Sequence, residues 1–256
     1  MNFTAIVIAI AAGLFLGTLA MLEIGRYLGR RLVERGGDGS GTGAVDGAIF
    51  ALLGLVIAFT FSGAASRFDT RRELVAQEAN AIGTAWLRID LLPEGARPAV
   101  RDLFRRYLDT RLAGYRILTS GKFPAAEIAQ SERLQGEIWK ASVAGCRAAD
   151  STAPCLLLLP ALNDMIDITT TRAMAMRIHP PLVVFLMLGG LAFASSMLAG
   201  YSMGAGKARS RFHRYAFAFV IAATVYVIVD IEYPRLGFIR IDSADSVLSD
   251  LRQTME

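Results

Sequence analysis

The sequence predicts an all-α membrane protein with four transmembrane helices and a helical extramembrane domain inserted between the second and the third. Three uncharged, apolar segments carry this prediction, at residues 3–22, 47–66 and 180–206. Each is long enough to cross a bilayer, since a helix needs about 20 apolar residues to span the hydrocarbon layer. The mean hydropathy of the chain is +0.42, and the charged residues collect between these segments.

A shorter uncharged run at residues 215–229 is predicted to form the fourth span. Its 15 residues also fit a buried helix of a soluble protein, so length alone does not decide between the two. Tyr215, Tyr226 and Tyr233 favour the membrane interpretation, because tyrosine concentrates at the membrane interface.

The predicted spans divide the chain into three parts. Residues 1–65 hold the first two transmembrane helices and a basic loop, residues 66–179 form the extramembrane domain, and residues 180–256 hold the last two spans and a tail. The second transmembrane helix is expected to continue into the domain, because residues 46–92 contain no proline and keep apolar residues at helical spacing. About three further helices complete the domain.

The basic residues of the short loops predict which side of the membrane each part occupies. Four arginines lie within residues 23–43, and four basic residues lie within residues 207–214. Both loops are on the same side of a four-span chain, and basic loops tend to remain cytoplasmic, which directs residues 66–179 outward. Five arginines that flank the spans on the domain side argue for the opposite orientation.

Cys146 and Cys155 are the two cysteines, and eight residues of a polar segment separate them. In an oxidising compartment they are expected to form an intrachain disulfide. The alternative is that both are small, unpaired apolar residues.

No pattern in the sequence indicates an enzyme, a metal site or a cofactor. The two histidines, His179 and His213, lie beside different spans and have no metal-ligand spacing. The glycine-rich segment at 36–43 lacks the preceding strand and the following Lys-Ser/Thr of a phosphate-binding loop. The basic residues are not interleaved with aromatic ones, so no nucleic-acid partner is expected either.

Two segments resemble a family of bacterial membrane proteins labelled as having a bestrophin-like domain, whose function is not established. They are LVIAFTFSGAASRFDTRRELVAQEANAIGTAWLRIDLLP at residues 55–93 and DIEYPRLGFIRI at residues 230–241. The segment at residues 162–181 also fits, so the resemblance covers nearly the whole chain. It implies a multi-pass protein of the bacterial inner membrane, whose domain is periplasmic by the charge count above.

A more distant resemblance links that family to the bestrophins, which are pentameric anion channels whose second helix lines a narrow hydrophobic neck. Counting back from Arg67, it implies neck positions at Ala51, Leu55 and Phe59, and Phe59 keeps the expected aromatic side chain. Residues four apart share one helix face, and a ring of apolar side chains can gate ions by dewetting. The alternative is ordinary contact of this face with lipid or with another helix.

Two expected properties of bestrophins do not carry over to this sequence. No acidic cluster like the calcium site of animal bestrophins is found, so calcium gating is not implied. Bestrophins keep the large domain in the cytosol, which conflicts with the orientation that the loop charges favour.

Polar residues beyond the second span are candidates for a pore mouth or a subunit interface, namely Arg67, Glu78 and Asn80. The alternative is that Glu78 is solvated or pairs with an arginine that is near in sequence, such as Arg71, Arg72 or Arg88.

Asp230, Glu232 and Arg235 follow the last span, where acidic groups are costly unless they are paired. A local clasp is expected, in which Arg235 pairs with one of the two carboxylates. Ion coordination by the two carboxylates is the alternative.

The sequence therefore predicts an oligomeric channel or pore that conducts small ions through an axis lined by the second transmembrane helix. The expected partners are the lipid bilayer and further copies of the chain, five in all by resemblance. The alternative function is a non-conducting membrane scaffold or sensor whose polar helical domain binds a partner.

Overall fold

The computed structural model describes residues 3–36, 43–205 and 211–255. Within these ranges the regular structure consists of helices, with no β-strand, so the all-α prediction is confirmed. The helices are α1 (Phe3–Glu34), α2 (Gly43–Arg88), α3 (Arg97–Thr119), α4 (Ala125–Arg147), α5 (Ala153–Arg177), α6 (Leu182–Ala205), α7 (Arg211–Glu232) and α8 (Asp242–Gln253). A single 3-10 turn, Ile89–Leu91, follows α2.

Four helical stretches are long and apolar enough to cross a bilayer, which confirms the four-span prediction. They lie within Thr4–Glu34, Gly43–Leu91, Ala153–Ala205 and Arg211–Glu232. The last of these is 22 residues long, so the short uncharged run at its centre belongs to a helix of membrane-spanning length.

The chain folds into two compact units. The first contains residues 1–66 and 179–233, and the second contains residues 67–178 and 234–256. The C-terminal residues from 234 therefore belong with the extramembrane helices, whereas the sequence analysis grouped them with the last two spans.

Helix α8 explains why the tail belongs to the second unit. Its Leu248 is fully buried, as is Met255 just beyond the helix. Arg252 on the same helix donates two hydrogen bonds to the carboxylate of Asp109 on α3, at 2.8 and 3.2 Å. A short amphipathic helix of this kind adds apolar area to an existing core, which a membrane-facing tail would not do.

The buried face of α2 in the second unit is the one that its spacing predicted. Val75, Ala79, Ile82, Trp86 and Ile89 are all buried. They meet large apolar side chains from the other helices of this unit, including Phe104, Leu108, Leu134, Ile138, Leu158, Leu162 and Met165. Helix α2 runs for 46 residues without interruption, as the absence of proline from residues 46–92 predicted.

Helix α5 begins within the polar segment that separates the two cysteines. The segment from Cys146 to Cys155 is only in part a loop, since α4 continues to Arg147 and α5 begins at Ala153. Pro160 lies inside α5, which therefore begins on the N-terminal side of this proline.

In the first unit, α1 packs against α6 and α7, and its contact with α6 is unusually close. Gly25 and Gly29 on α1 face α6, and Gly200 and Gly204 on α6 face α1. A Cβ atom at any of the four would overlap a main-chain carbonyl oxygen of the opposite helix. Each helix thus presents two glycines four residues apart, the spacing that allows backbones to approach closely in a membrane.

We expect this contact to tolerate no side chain. Gly200→Ala should destabilise the protein by about 1–3 kcal/mol, because the new methyl group overlaps the carbonyl of Leu22 and the helices must separate. The measurement is thermal unfolding of the purified protein in detergent, followed by circular dichroism.

Gly190→Ala is the matched control, since it is the same change on the same helix at a position with nothing within 4 Å. It should be neutral or slightly stabilising, because alanine favours a helix over glycine. Equal melting temperatures for the two variants would contradict the close packing of α1 and α6.

Candidate functional site

In the first unit, one face of α2 is buried against other helices of the same chain, and the opposite face is exposed. Leu53, Val56, Thr60 and Ala64 are buried, and the Thr60 hydroxyl donates a 2.6 Å hydrogen bond to the carbonyl of Val56. These four residues recur at spacings of three and four, as expected for one face of a helix.

The candidate neck residues lie on the uncovered face of α2. Ala51 is exposed, Leu55 is 51% exposed and Phe59 is 70% exposed, so none of the three packs into the core of its own chain. Gly54, Ala58 and Ser62 are exposed beside them. This face is apolar or weakly polar throughout, which is unsuited to water and suited to lipid or to another helix.

A charged cluster occupies the interior of the second unit, and Glu78 on α2 is at its centre. Its carboxylate is completely buried. Arg111 on α3 donates from Nε to Oε1 at 2.8 Å, and its Nη2 lies 2.7 Å from the same oxygen in an ion pair. Arg172 on α5 forms an ion pair with Oε2, and the Tyr115 hydroxyl donates to the same oxygen at 2.8 Å.

Three guanidinium groups surround the ring of Tyr115. The guanidinium carbons of Arg172, Arg111 and Arg235 lie 4.8, 5.1 and 5.1 Å from the ring centroid, within the range of cation–π attraction. The Tyr115 hydroxyl also accepts hydrogen bonds from Arg111 and Arg172. Burial raises the pKa of this phenol above its usual range, because the charged form would lose its hydration, so Tyr115 stays a donor to Glu78.

The cluster is therefore a satisfied buried ion network. Glu78 pairs with Arg111 and Arg172, neither of which is close to it in sequence. The alternative in which Glu78 forms a salt bridge is therefore observed, but with different arginines from those near it in sequence. Arg71, one of the arginines considered, is buried and donates to the carbonyls of Ala175 and Ile178 at the C-terminal end of α5. Sequence spacing could not identify these partners, because they lie on other helices, α3 and α5, and only the tertiary packing brings them to Glu78.

The remaining candidates for a pore mouth differ in exposure. Arg67 is half-buried and Asn80 is exposed, whereas Glu78 is enclosed. Glu78 therefore presents its carboxylate to Arg111 and Arg172 and not to solvent.

The candidate clasp residues are all buried, Asp230 and Glu232 at the end of α7 and Arg235 just beyond it, and two of their partners were not anticipated. Arg235 donates to both carboxylate oxygens of Asp245, at 2.8 and 3.1 Å. Glu232 lies 2.9 Å from Nδ1 of His179, whose ring stacks on Tyr233 with centroids 4.7 Å apart. Pairing of Arg235 with one of the two earlier carboxylates stays a prediction.

Cys146 and Cys155 are free thiols in the structure, and they are near enough for a side-chain hydrogen bond. Burial is the main reason that the pKa of Cys146 rises to about 12, and the contact with Cys155 adds to it. At neutral pH the thiol is therefore protonated and a poor nucleophile. The disulfide stays a prediction.

In the described part of the chain, no group of three or more His, Cys, Asp or Glu side chains could hold a metal ion. The absence of a metal site stays a prediction.

Comparison with a model of the bestrophin-like domain family gives a match over residues 16–245. This range includes α2, the extramembrane helices and α7. No curated protein sequence matches the chain.

Solved structures of a bacterial bestrophin homologue from Klebsiella pneumoniae are similar in fold. One variant of it superposes with a TM-score of 0.72 at 14% identity, covering 94% of this chain and 97% of that one. Two other variants give TM-scores of 0.70, at 14% and 13% identity, with 96% and 97% of this chain covered. At such low identity the likeness establishes the shared fold.

We expect the second unit to depend on the charge of Glu78. Glu78→Gln should cost about 3–5 kcal/mol of stability, because it leaves the buried Arg172 and the partly buried Arg111 without their carboxylate. Chemical denaturation of the purified protein in detergent measures this difference.

The matched control is Asp109→Asn, which removes one carboxylate from an ion pair whose side chains are 55% and 26% exposed. An exposed pair of this kind contributes less than about 1 kcal/mol. If both variants lose the same small amount, the network around Glu78 does not stabilise the unit.

Proposed function

Because the chain belongs to the bestrophin-like domain family, we propose that it forms an oligomeric channel that conducts small ions along an axis lined by α2. The observation that carries the proposal is the uncovered face of α2, on which Ala51, Leu55 and Phe59 follow one another at intervals of four residues. The similar fold of the bacterial bestrophin homologue supports it.

The exposed side chains of this face have the chemistry of a hydrophobic gate. In a symmetric assembly each copy contributes one Phe59 and one Leu55, so rings of large apolar groups form at successive turns. Such a ring excludes water, and an ion crosses it only if the ring widens or wets. Phe59 is the largest side chain of the three and the narrowest point of the proposed path.

Small residues on α2 support association between copies. Gly47 and Gly54 are exposed and have nothing within 4 Å of the position of a Cβ atom, unlike Gly25 and Gly29, whose space α6 occupies. In membranes, small residues mark the surfaces at which helices approach one another. We assign this surface to α2 helices of neighbouring copies, five in the assembly by resemblance to bestrophins.

We further propose that the assembly lies in the bacterial inner membrane with the second unit in the periplasm. The basic residues of the two short loops, within residues 23–43 and 207–214, support this orientation. In a four-span chain both loops fall on the same side of the membrane, and residues 66–179 fall on the other. The opposite orientation is the one that resemblance to bestrophins implies, and the labelling experiment below distinguishes the two.

A scaffold or sensor function is the second candidate, and one observation favours it. The second unit exposes large apolar side chains outside the spans, among them Phe123 at 74% and Leu156 at 71%. Exposed apolar groups of this size are typical of contact surfaces for another protein. The conductance measurement decides between the two functions, because a scaffold carries no current.

The central prediction concerns the proposed ring. Phe59→Ala should raise the conductance of the reconstituted protein, or make a silent protein active, because the smaller side chain widens and wets the constriction. Leu55→Ala should act in the same direction but more weakly, since it removes less volume. Planar-bilayer recordings measure the current, and size-exclusion chromatography checks that the assembly is intact.

Phe61→Ala is the matched control, because it removes the same ring from another exposed position of α2. Two residues further along a helix correspond to a rotation of about 200°, so Phe61 points away from the proposed axis. Its current should equal that of the wild type. Silence of the wild type and of both phenylalanine variants in an intact assembly would favour the scaffold.

The orientation is tested by labelling a cysteine on the second unit. Ala129→Cys, in a background without Cys146 and Cys155, should react with an impermeant thiol reagent in intact spheroplasts, since Ala129 is exposed. In the wild type, the two native cysteines should then be oxidised, with a mass two hydrogens below that of the dithiol, and the bond should contribute about 2–3 kcal/mol.

Glu34→Cys provides the control on the other side, because Glu34 is exposed at the end of α1. It should react only after lysis. Labelling of Glu34→Cys alone in intact spheroplasts, with free native thiols, would reverse the orientation and remove the disulfide.

A further inference from the structure

A basic pocket lies in the first unit, where α1 and α7 carry their first charges. It has a volume of about 540 Å³ and is lined by Arg26, Arg30, Arg211, Arg214 and Tyr215. This volume is within the range of pockets that hold small ligands. Four guanidinium groups around one cavity form an arrangement that costs electrostatic energy unless an anion is present.

Glu23 holds two of these arginines in place. Its carboxylate pairs with Arg26 one turn away on α1, at 3.3 Å, and with Arg214 on α7. Both arginine side chains are largely buried, at 16% and 15% exposure. Glu23 therefore fixes part of the wall of the pocket across two helices, and leaves most of the guanidinium N–H groups of the pair available.

The other two arginines supply positive charge that no carboxylate among the described residues balances. Arg30 and Arg211 are exposed, and neither forms an ion pair with an acidic side chain in the described part of the chain. Arg211 is also the first residue of α7. The N-terminal turn of a helix attracts anions through its free N–H groups and its dipole, which adds to the charge of the four arginines.

The position of the pocket along the helices indicates the source of its anion. The uncharged segment of α1 ends at Leu22, just before Glu23 and Arg26, and the uncharged segment of α7 begins at Tyr215. The arginines therefore lie at the level where hydrocarbon gives way to headgroups. Tyr215 is 56% exposed, as expected for a tyrosine at that boundary.

We propose that this pocket binds the phosphate groups of an anionic phospholipid headgroup. Arginine is suited to phosphate because its planar fork donates two parallel hydrogen bonds. The proposal does not depend on conduction, since the pocket is built from α1 and α7 and uses no residue of α2.

The test compares lipid binding by two variants of equal charge. The first, Arg30→Gln with Arg211→Gln, removes the two pocket arginines that Glu23 does not hold. The second, Arg31→Gln with Arg35→Gln, removes two exposed arginines from the same end of α1 that do not line the pocket. Native mass spectrometry of the full-length protein measures binding of cardiolipin, with phosphatidylcholine as the uncharged reference lipid.

The first variant should bind cardiolipin about tenfold or more weakly than the wild type, and the second should bind within about threefold of it. Phosphatidylcholine binding should not change in either. Unchanged melting temperatures confirm that the substitutions, all at exposed positions, leave the fold intact.

Three results would overturn the proposal. Equal loss of cardiolipin in both variants would mean that general surface charge, and not the pocket, attracts the lipid. Unchanged binding in both would mean that the pocket does not hold the headgroup. Displacement of cardiolipin by inorganic pyrophosphate at equal concentration would assign the pocket to a soluble phosphate.

Discussion

The second unit depends on one buried carboxylate. Glu78 is enclosed completely, and the groups that neutralise it come from α3 and α5, which joins three helices through a single side chain. A buried charge without partners is far more costly than a buried apolar group, so α3 and α5 must meet α2 in the register that brings Arg111 and Arg172 to Glu78. We infer that the network specifies how these helices pack more than it adds to their stability.

The contact between α1 and α6 in the first unit depends on shape and not on charge. Lipid is as apolar as leucine, so burial of apolar area does not drive helices together in a membrane, and close packing has to do so. The glycines of α1 and α6 meet this requirement, since each allows a carbonyl of the opposite helix to approach its Cα. Contacts of the Cα–H group with a carbonyl oxygen then add a small attraction at each crossing.

The difference between these two mechanisms explains how much could be read from the sequence. The four spans and the continuation of α2 follow from uncharged runs and from spacing, which are local properties. The partners of Glu78 could not be predicted, because Arg172 lies 94 residues further along the chain. The grouping of the tail with the second unit could not be predicted for a similar reason: α8 is short, and the core that buries Leu248 is built by distant segments. The neck positions on α2 came from resemblance alone, and their role in a pore stays a prediction.

A shared fold at 14% identity limits which features can be transferred from the bacterial bestrophin homologue to this chain. Backbone position is transferable, and the shared fold is the extent of what the superposition shows. Individual side chains are not, because most positions differ, and the roles of the Glu78 network and of the arginine pocket must therefore follow from the geometry of this chain alone. The proposal for Phe59 likewise depends on this chain, since its side chain is exposed and available for contact with another copy.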